Sequence, residues 1–401
     1  MATVGILGGG QLGMLLAESI YRLGGNVAVF DPDGNAPAHR LAARSFVKSF
    51  TDSHALKEFF DHCDVVTYEF ENVESAPLYA LAKVKPILPS VKVLATCQDR
   101  IQEKEFLREN DLPFAHFATA KIIRHLEREA RAFQLPFIIK TARGGYDGKG
   151  QWLINKTSEL DALLDDTDLL KHEGSGFVIE SVINIAMEVS CIVVRNPAGK
   201  AYVYPVFENI HKNHILDFTI FPARLPLEVA DKLQDIALKT AMKMDVQGLL
   251  CIEFFLSHRR SPNSSGLTVG EWNIYINEMA PRPHNSGHVT RIASSVSQFD
   301  SLARVLLNIP LSQPRGLETG SYCMGNLLGD VFLAQGTDGK KPLNLQALEA
   351  FPEVVDVVVY GKHEARAKRK MGHFVTRGAT GDQSLASAAR FRESLMLSKV
   401  N

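Results

Sequence analysis

The sequence predicts an α/β protein of two or three domains, opening with a small doubly wound domain and closing with a β-rich piece. Three observations carry this. The chain has 401 residues, too many for one hydrophobic core. Its N-terminal part alternates short apolar strands with helices of 3.6-residue periodicity. Its last part is dominated by strand-like runs after Ile309-Pro310 ends a helix. The predicted segments are 1–98, 99–308 and 309–401.

Composition narrows the class. Apolar residues make up 45% and charged residues 22%, as in an ordinary globular enzyme. A net charge of −1 argues against a broad nucleic-acid surface. No apolar run is long enough to cross a bilayer, so no membrane association is expected. Met1 leads directly towards a strand without a basic leader. Five cysteines, at 63, 97, 191, 251 and 323, lack paired spacing. They read as reduced core thiols in a cytoplasmic protein.

In chain order, Thr3–Leu7 is a strand. Gly8-Gly9-Gly10-Gln11-Leu12-Gly13 follows it, and a helix runs to about Leu23. Val27–Phe30 is the second strand, ending at Asp31. This βαβ opening fits an anion at a helix N-terminus, and Asp31 stands about where a dinucleotide site places its ribose acid. A nicotinamide or flavin site is therefore one reading; the Asp-Pro-Asp-Gly turn at Asp31 weakens it. Val65–Tyr68 ends in Glu69-Phe70-Glu71-Asn72, acids at the carboxyl end of a parallel sheet. Pro86–Pro89 is read as a short strand, and a helix from Val91 continues through Arg100 to Phe106.

Phe137–Lys140 is a strand ending in a lysine. Gly144-Gly145-Tyr146-Asp147-Gly148-Lys149-Gly150-Gln151 follows, a glycine-rich loop whose amides can wrap phosphate, without the P-loop pattern. Phe177–Glu180 and Met187–Val194 are further strands. In Cys251–Phe255, Glu253 is an acid within an apolar strand, and Glu278 closes the strand begun at Ile274. Two such carboxylates on neighbouring strands repel by several kcal/mol unless a cation joins them, and Mg²⁺ uses carboxylates together with nucleotide phosphates. The polar stretch 258–266 reads as a solvated hairpin tip without function. Arg282-Pro283-His284-Asn285-Ser286-Gly287-His288 is a polar loop. Arg366–Lys370 is a dense basic run beside a hairpin, a pattern suited to an anionic ligand.

The order of these parts resembles the ATP-grasp ligases. Within them, GGGQLG at 8–13, GYDGKGQ at 145–151, PRPHNSGH at 281–288 and RKMGH at 369–373 are together similar to the N5-carboxyaminoimidazole ribonucleotide synthetases. The resemblance spans the chain and implies an ATP-grasp fold with an N-terminal pre-ATP-grasp domain. It departs from the family at 257–270, a longer insert. It implies that Arg100 and Lys140 meet ATP phosphates beneath the flap 145–151. Glu180, Ser181, Val182 and Ile183 form the adenine hinge, Glu188 the ribose acid and His211 the nucleotide-side histidine. Glu253 and Glu278 hold Mg²⁺ (or Mn²⁺), with Asn277 beside them. Gln11, Leu12, Glu71, Asn285, Lys362, Arg369 and Lys370 hold the ribonucleotide.

The reaction this implies is ATP-dependent carboxylation of 5-aminoimidazole ribonucleotide by bicarbonate, through carboxyphosphate, in purine biosynthesis. Tyr146, Asp147, Lys149, Arg282, His284 and His288 are the groups expected to orient bicarbonate and move protons. A homodimer is implied by family. The alternatives are a formate-dependent glycinamide ribonucleotide transformylase, a nicotinamide oxidoreductase and a non-catalytic nucleotide sensor.

Overall fold

The computed structural model describes residues 1–145, 149–317, 320–339 and 341–398. Its N-terminal sheet is parallel, in the order β3-β2-β1-β4. β1 is Thr3–Leu7, β2 Asn26–Phe30, β3 Arg44–Phe46 and β4 Val65–Tyr68. All four residues of β4 are buried, and only the first residue of β1 and of β2 is less than fully buried. That pattern is expected of strands covered on both faces. The helix Gln11–Arg22 buries Leu12, Leu15, Leu16 and Ile20 on one face. Pro86–Pro89 is not a strand; one bridge, Val66 to Ile87, is all it contributes. The helix predicted from Val91 is two helices, Val91–Cys97 and Arg100–Glu109. Asp99 breaks the run because its carboxylate accepts from the amides of Ile101 and Gln102, capping the second helix.

The central segment contributes two sheets. β5 (Phe117–Ala120), β6 (Phe137–Thr141), β7 (Gln151–Ile154) and β8 (Phe177–Ser181) form an antiparallel sheet in the order β5-β8-β6-β7. β9 (Met187–Arg195), β10 (Ala201–Val203), β11 (Phe207–Lys212), β12 (Ile215–Phe221), β13 (Gly248–Ser257), β14 (Leu267–Val269) and β15 (Trp272–Ala280) belong to the large sheet. The C-terminal strands β16 (Ser321–Leu328), β17 (Val354–Val359) and β18 (Lys370–Gly378) extend this same sheet, since β16 pairs with β12. The closing helix Gly381–Leu397 covers them with Ala388, Phe391 and Leu395.

The 258–266 stretch is not a hairpin tip. The tight turn lies later, between Val269 and Trp272, and Ser261 is buried against the sheet. Among the described residues, no helix is long and apolar enough to cross a membrane. The five cysteines are unpaired, four of them buried.

Candidate active site

One cavity of about 870 Å³ lies where all three segments meet, within the range of small-molecule sites. Its wall runs from Gln11 and Glu69 in the first segment, past Lys140, Glu253 and Glu278, to Lys370 in the last.

The facing acids occupy its centre. Glu253 on β13 stands opposite Glu278 on β15, and the register slips immediately beyond this pair. The extra residue, Asn277, makes a β-bulge, a device that re-aims a side chain at a strand end. Its carbonyl accepts from Lys104 Nζ at 2.9 Å. Burial opposes the charge on Glu253, but His284, with Nε2 at 2.8 Å, and the nearby His211 and Arg282 hold its carboxyl well below the usual range. Burial and the neighbouring Glu253 charge push Glu278 upward instead. Glu278 opens into the cavity space. A divalent cation between the two would relieve this repulsion, so the donor set fits Mg²⁺ completed by substrate phosphates.

A buried lysine–acid cluster flanks the acids. Glu180 at the end of β8 meets Lys140 Nζ at 2.9 Å and Lys104 Nζ at 3.2 Å. Burial alone would raise its carboxyl, but the two ammonium groups hold it at about 2. Lys104 is 2% exposed. It lies one helical turn from Arg100, so both reach the cavity. Beside it, burial pushes Glu103 up to about 8, against the pull of Lys104. Glu103 accepts from the Met279 amide, tying the helix to β15.

Arg100 holds the root of the second glycine loop. Its guanidinium donates to the carbonyls of Thr141 at 2.8 Å and Gly145 at 2.9 Å. Gly144 and Gly150 take φ of +77° and +66°, conformations that favour glycine. Gly145 and Gln151 line the cavity; Lys149 is exposed and does not. Tyr146, Asp147 and Gly148 lie outside the described residues.

At the cavity's apolar end, Ser181, Val182 and Ile183 line the wall together with Ala115, Phe255 and Tyr275. Glu188 pairs with His211 Nδ1 at 3.0 Å. Burial opposes a charge on His211, yet the Glu188 contact raises it above an ordinary imidazole.

The first glycine loop is closed from within. Glu69 accepts from the amides of Gly10 at 2.8 Å and Gly13 at 3.4 Å, while Asp31 accepts from Gly9 at 2.7 Å and Asp33 at 2.8 Å. The amides that would bind a dinucleotide pyrophosphate are thus satisfied by the chain's own carboxylates. Asp31 faces its own turn, not a ribose. Gln11 and Leu12 still face the cavity, and Gln11 Oε1 accepts from Lys362 Nζ at 2.8 Å. Glu71 pairs with Arg282 Nε at 2.8 Å.

The basic run divides. Arg366 pairs with Glu364 in solvent, and Lys368 sits in a turn at φ +67°. Lys370 lines the cavity; Arg369 donates to the Glu364 carbonyl. Lys362 and Arg369 are outside the lining. Burial and the nearby Arg369 charge lower Lys362 to about 8. Asn285 lines the cavity, and its buried Oδ1 has no partner among the described residues.

His288 must be corrected. It is fully buried against Phe299, Tyr360 and His373, neither ring nitrogen is bonded among the described residues, and burial lowers it well below an ordinary imidazole. Unlike His284, it does not line the cavity. Glu103, Lys104 and Tyr275 are cavity residues that sequence reasoning missed, while Glu69 stood out as a strand-end acid without being assigned to the site. Lys104 also carried a legible signal, its one-turn spacing from Arg100.

The chain matches the model of the ATP-grasp domain over residues 105–299, that of the ribonucleotide synthetase preATP-grasp domain over 1–98, and that of the phosphoribosylaminoimidazole carboxylase C-terminal domain over 323–387. It is 34% identical to the N5-carboxyaminoimidazole ribonucleotide synthase of Bacillus subtilis (strain 168), over 93% of this chain and 90% of that one. The chain belongs to the N5-carboxyaminoimidazole ribonucleotide synthase family. An ADP complex of an N5-carboxyaminoimidazole ribonucleotide synthetase superposes with a TM-score of 0.86 at 32% identity, covering 97% of this chain and 96% of the other. The Aspergillus clavatus synthase, in complex with ADP and 5-aminoimidazole ribonucleotide, gives 0.81 at 26%, covering 98% of each. The three matched segments run from the first glycine loop to the closing strands.

Proposed function

We propose that this chain carboxylates 5-aminoimidazole ribonucleotide with bicarbonate at the expense of ATP, giving N5-carboxyaminoimidazole ribonucleotide, ADP and phosphate. The observation that carries the reading is a single cavity with facing acids at its centre, lysines at Lys140 and Lys370, and an apolar hinge at one end. Membership of the synthase family supports it, as does the solved relative bound to ADP and 5-aminoimidazole ribonucleotide.

Bicarbonate is a poor electrophile. Attack of its oxygen on the γ-phosphorus, with ADP leaving, makes carboxyphosphate. The amine then attacks the activated carbon, phosphate leaves, and one amine proton is lost. Phosphoryl transfer needs alignment and charge neutralisation more than covalent help. Lys140 and Arg100 supply cations at the phosphate end. Glu253 and Glu278 would hold Mg²⁺, which neutralises phosphate charge when bound. His284 and Arg282 face the same space from one loop and orient bicarbonate. His284 Nδ1 lies 2.8 Å from Ser286 Oγ and its Nε2 2.8 Å from Glu253, so its ring is held on both sides. Gln11, Glu71 and Asn285 hold the ribonucleotide, with Lys362, Arg369 and Lys370 at its phosphate. Closure of the glycine loop keeps water from carboxyphosphate. We place the enzyme in the cytoplasm as a homodimer, following the reduced cysteines and the family.

The test is steady-state ADP release with each substrate omitted in turn. ADP should form only when both bicarbonate and the ribonucleotide are present. Release that depends on formate and glycinamide ribonucleotide instead would transfer the chain to the related transformylases.

A further inference from the structure

We infer that the loop 258–266 is a positioning element for the apolar end of the cavity, setting affinity for the purine base of the nucleotide through Tyr275. The inference rests on the reading of that end as the base site.

Tyr275 is fully buried and packs with Ala115, Ile183 and Phe255 in a small apolar cluster that forms the cavity wall. A buried phenol needs a partner for its hydroxyl. The loop supplies it: the Ser261 amide donates to Tyr275 Oη at 2.9 Å, and Ser264 Oγ lies at 3.4 Å. Gly266 packs closely on the ring; a Cβ there would fall 2.3 Å from Cε1. The loop also grips the segment across the cluster. The Ser265 amide donates to the Phe114 carbonyl at 3.1 Å, and Phe114 bridges to Ile276. Ala115 of the wall follows, then His116, whose carbonyl accepts from the Ser181 amide at 2.9 Å. One nine-residue loop therefore fixes both the aromatic platform and the strand carrying the hinge. None of these contacts reaches the acids or the basic cluster. Their effect should therefore fall on the base.

Two variants separate positioning from general stability. Tyr275→Phe keeps the ring and leaves the Ser261 amide without its acceptor. Gly266→Ala drives a methyl into the ring. Calorimetric titration with ADP and with inorganic tripolyphosphate compares a ligand that has a base with one that lacks it. ADP should weaken by about threefold to tenfold in Tyr275→Phe, as the loss of one buried hydrogen bond implies, while tripolyphosphate stays within about twofold. Gly266→Ala should follow the same split. Equal weakening of both ligands, or unchanged ADP binding in Tyr275→Phe, would overturn the inference. If Gly266→Ala does not fold, Tyr275→Phe alone decides. Wild-type protein that fails to bind ADP at all would refute the proposed function instead, a result distinct from either.

Discussion

The molecule carries two glycine-rich loops, and they do opposite things. The loop at 8–13 has the spacing of a dinucleotide site, yet its amides are held by Glu69 and Asp31. The loop rooted at 144–150 matches no P-loop, yet Gly144, Gly145 and Gln151 at its root line a cavity containing Lys140, Lys104 and two facing acids. Glycine spacing permits a backbone to approach an anion; what occupies the amides decides whether it does. In the first loop an internal carboxylate turns an anion site into a rigid support for Gln11. In the second, Arg100 grips the root carbonyls of Thr141 and Gly145, and Gly145 and Gln151 line the cavity. On the proposed function, the contrast divides the cavity into a phosphoryl-transfer end and a ribonucleotide end.

The largest expected effect lies at the acids between the two ends. Glu278→Gln should lower kcat by roughly two to three orders of magnitude with the fold intact, because one of the two carboxylates that would hold the charge-neutralising Mg²⁺ is lost. Turnover near wild type at limiting Mg²⁺ would remove Glu278 from the phosphoryl-transfer end.

Next comes Lys104→Met. Glu180 would keep only Lys140, and breaking a buried ion cluster by removing one member costs about 3–5 kcal/mol. The urea midpoint should fall accordingly. An unchanged midpoint would show that Lys140 alone satisfies Glu180 and that Lys104 adds nothing to the nucleotide end.

Arg369→Ala should sharpen the division from the other side. One charge-assisted contact to a phosphate is worth about 1.5–3 kcal/mol, so the KM for ribonucleotide should rise about tenfold or more while that for ATP hardly moves. Arg369→Lys should rescue in part, keeping the charge and losing the fork. A rise in ATP KM instead would place the basic run at the other end.

The smallest effect is a pH dependence. Lys362 titrates near 8 in the free protein, lowered by burial and Arg369. Below that pH it is charged and available to an anion; above it the charge is lost. The ribonucleotide KM should be flat below about pH 8 and rise by at most about tenfold per unit above it. Lys362→Arg should flatten the rise. The sign for folding is separate: with its pKa depressed in the folded state, Lys362 costs stability at neutral pH. That cost fades as pH rises from about 8 towards the ordinary lysine value.

The fold and the acids were largely legible in the sequence because they are local signals. Strand periodicity located most strands, and an acid inside an apolar strand is costly enough to announce itself, as at Glu253 and Glu278. What failed depends on tertiary neighbours. His288 shares a polar loop with His284, but three residues of 3₁₀ helix turn one ring into the cavity and the other into the core. Glu69 lies two residues from Glu71; only the fold shows that Glu69 closes the glycine loop while Glu71 meets Arg282. The 258–266 loop is polar in composition, and its value lies in backbone amides that composition does not reveal. The closing helix Gly381–Leu397, with its small Ala and Ser residues, lacks the broad apolar stripe that periodicity detects.

The central claim is that one cavity joins nucleotide hydrolysis to carboxylation of a ribonucleotide amine. The direct measurement is ADP release from wild-type protein with ATP, Mg²⁺, bicarbonate and 5-aminoimidazole ribonucleotide, each left out in turn, with the carboxylated product followed by incorporation of labelled bicarbonate. The account predicts about one ADP per labelled product and negligible release when either the ribonucleotide or bicarbonate is missing. ADP release that ignores both, or label incorporation without ATP, would contradict it.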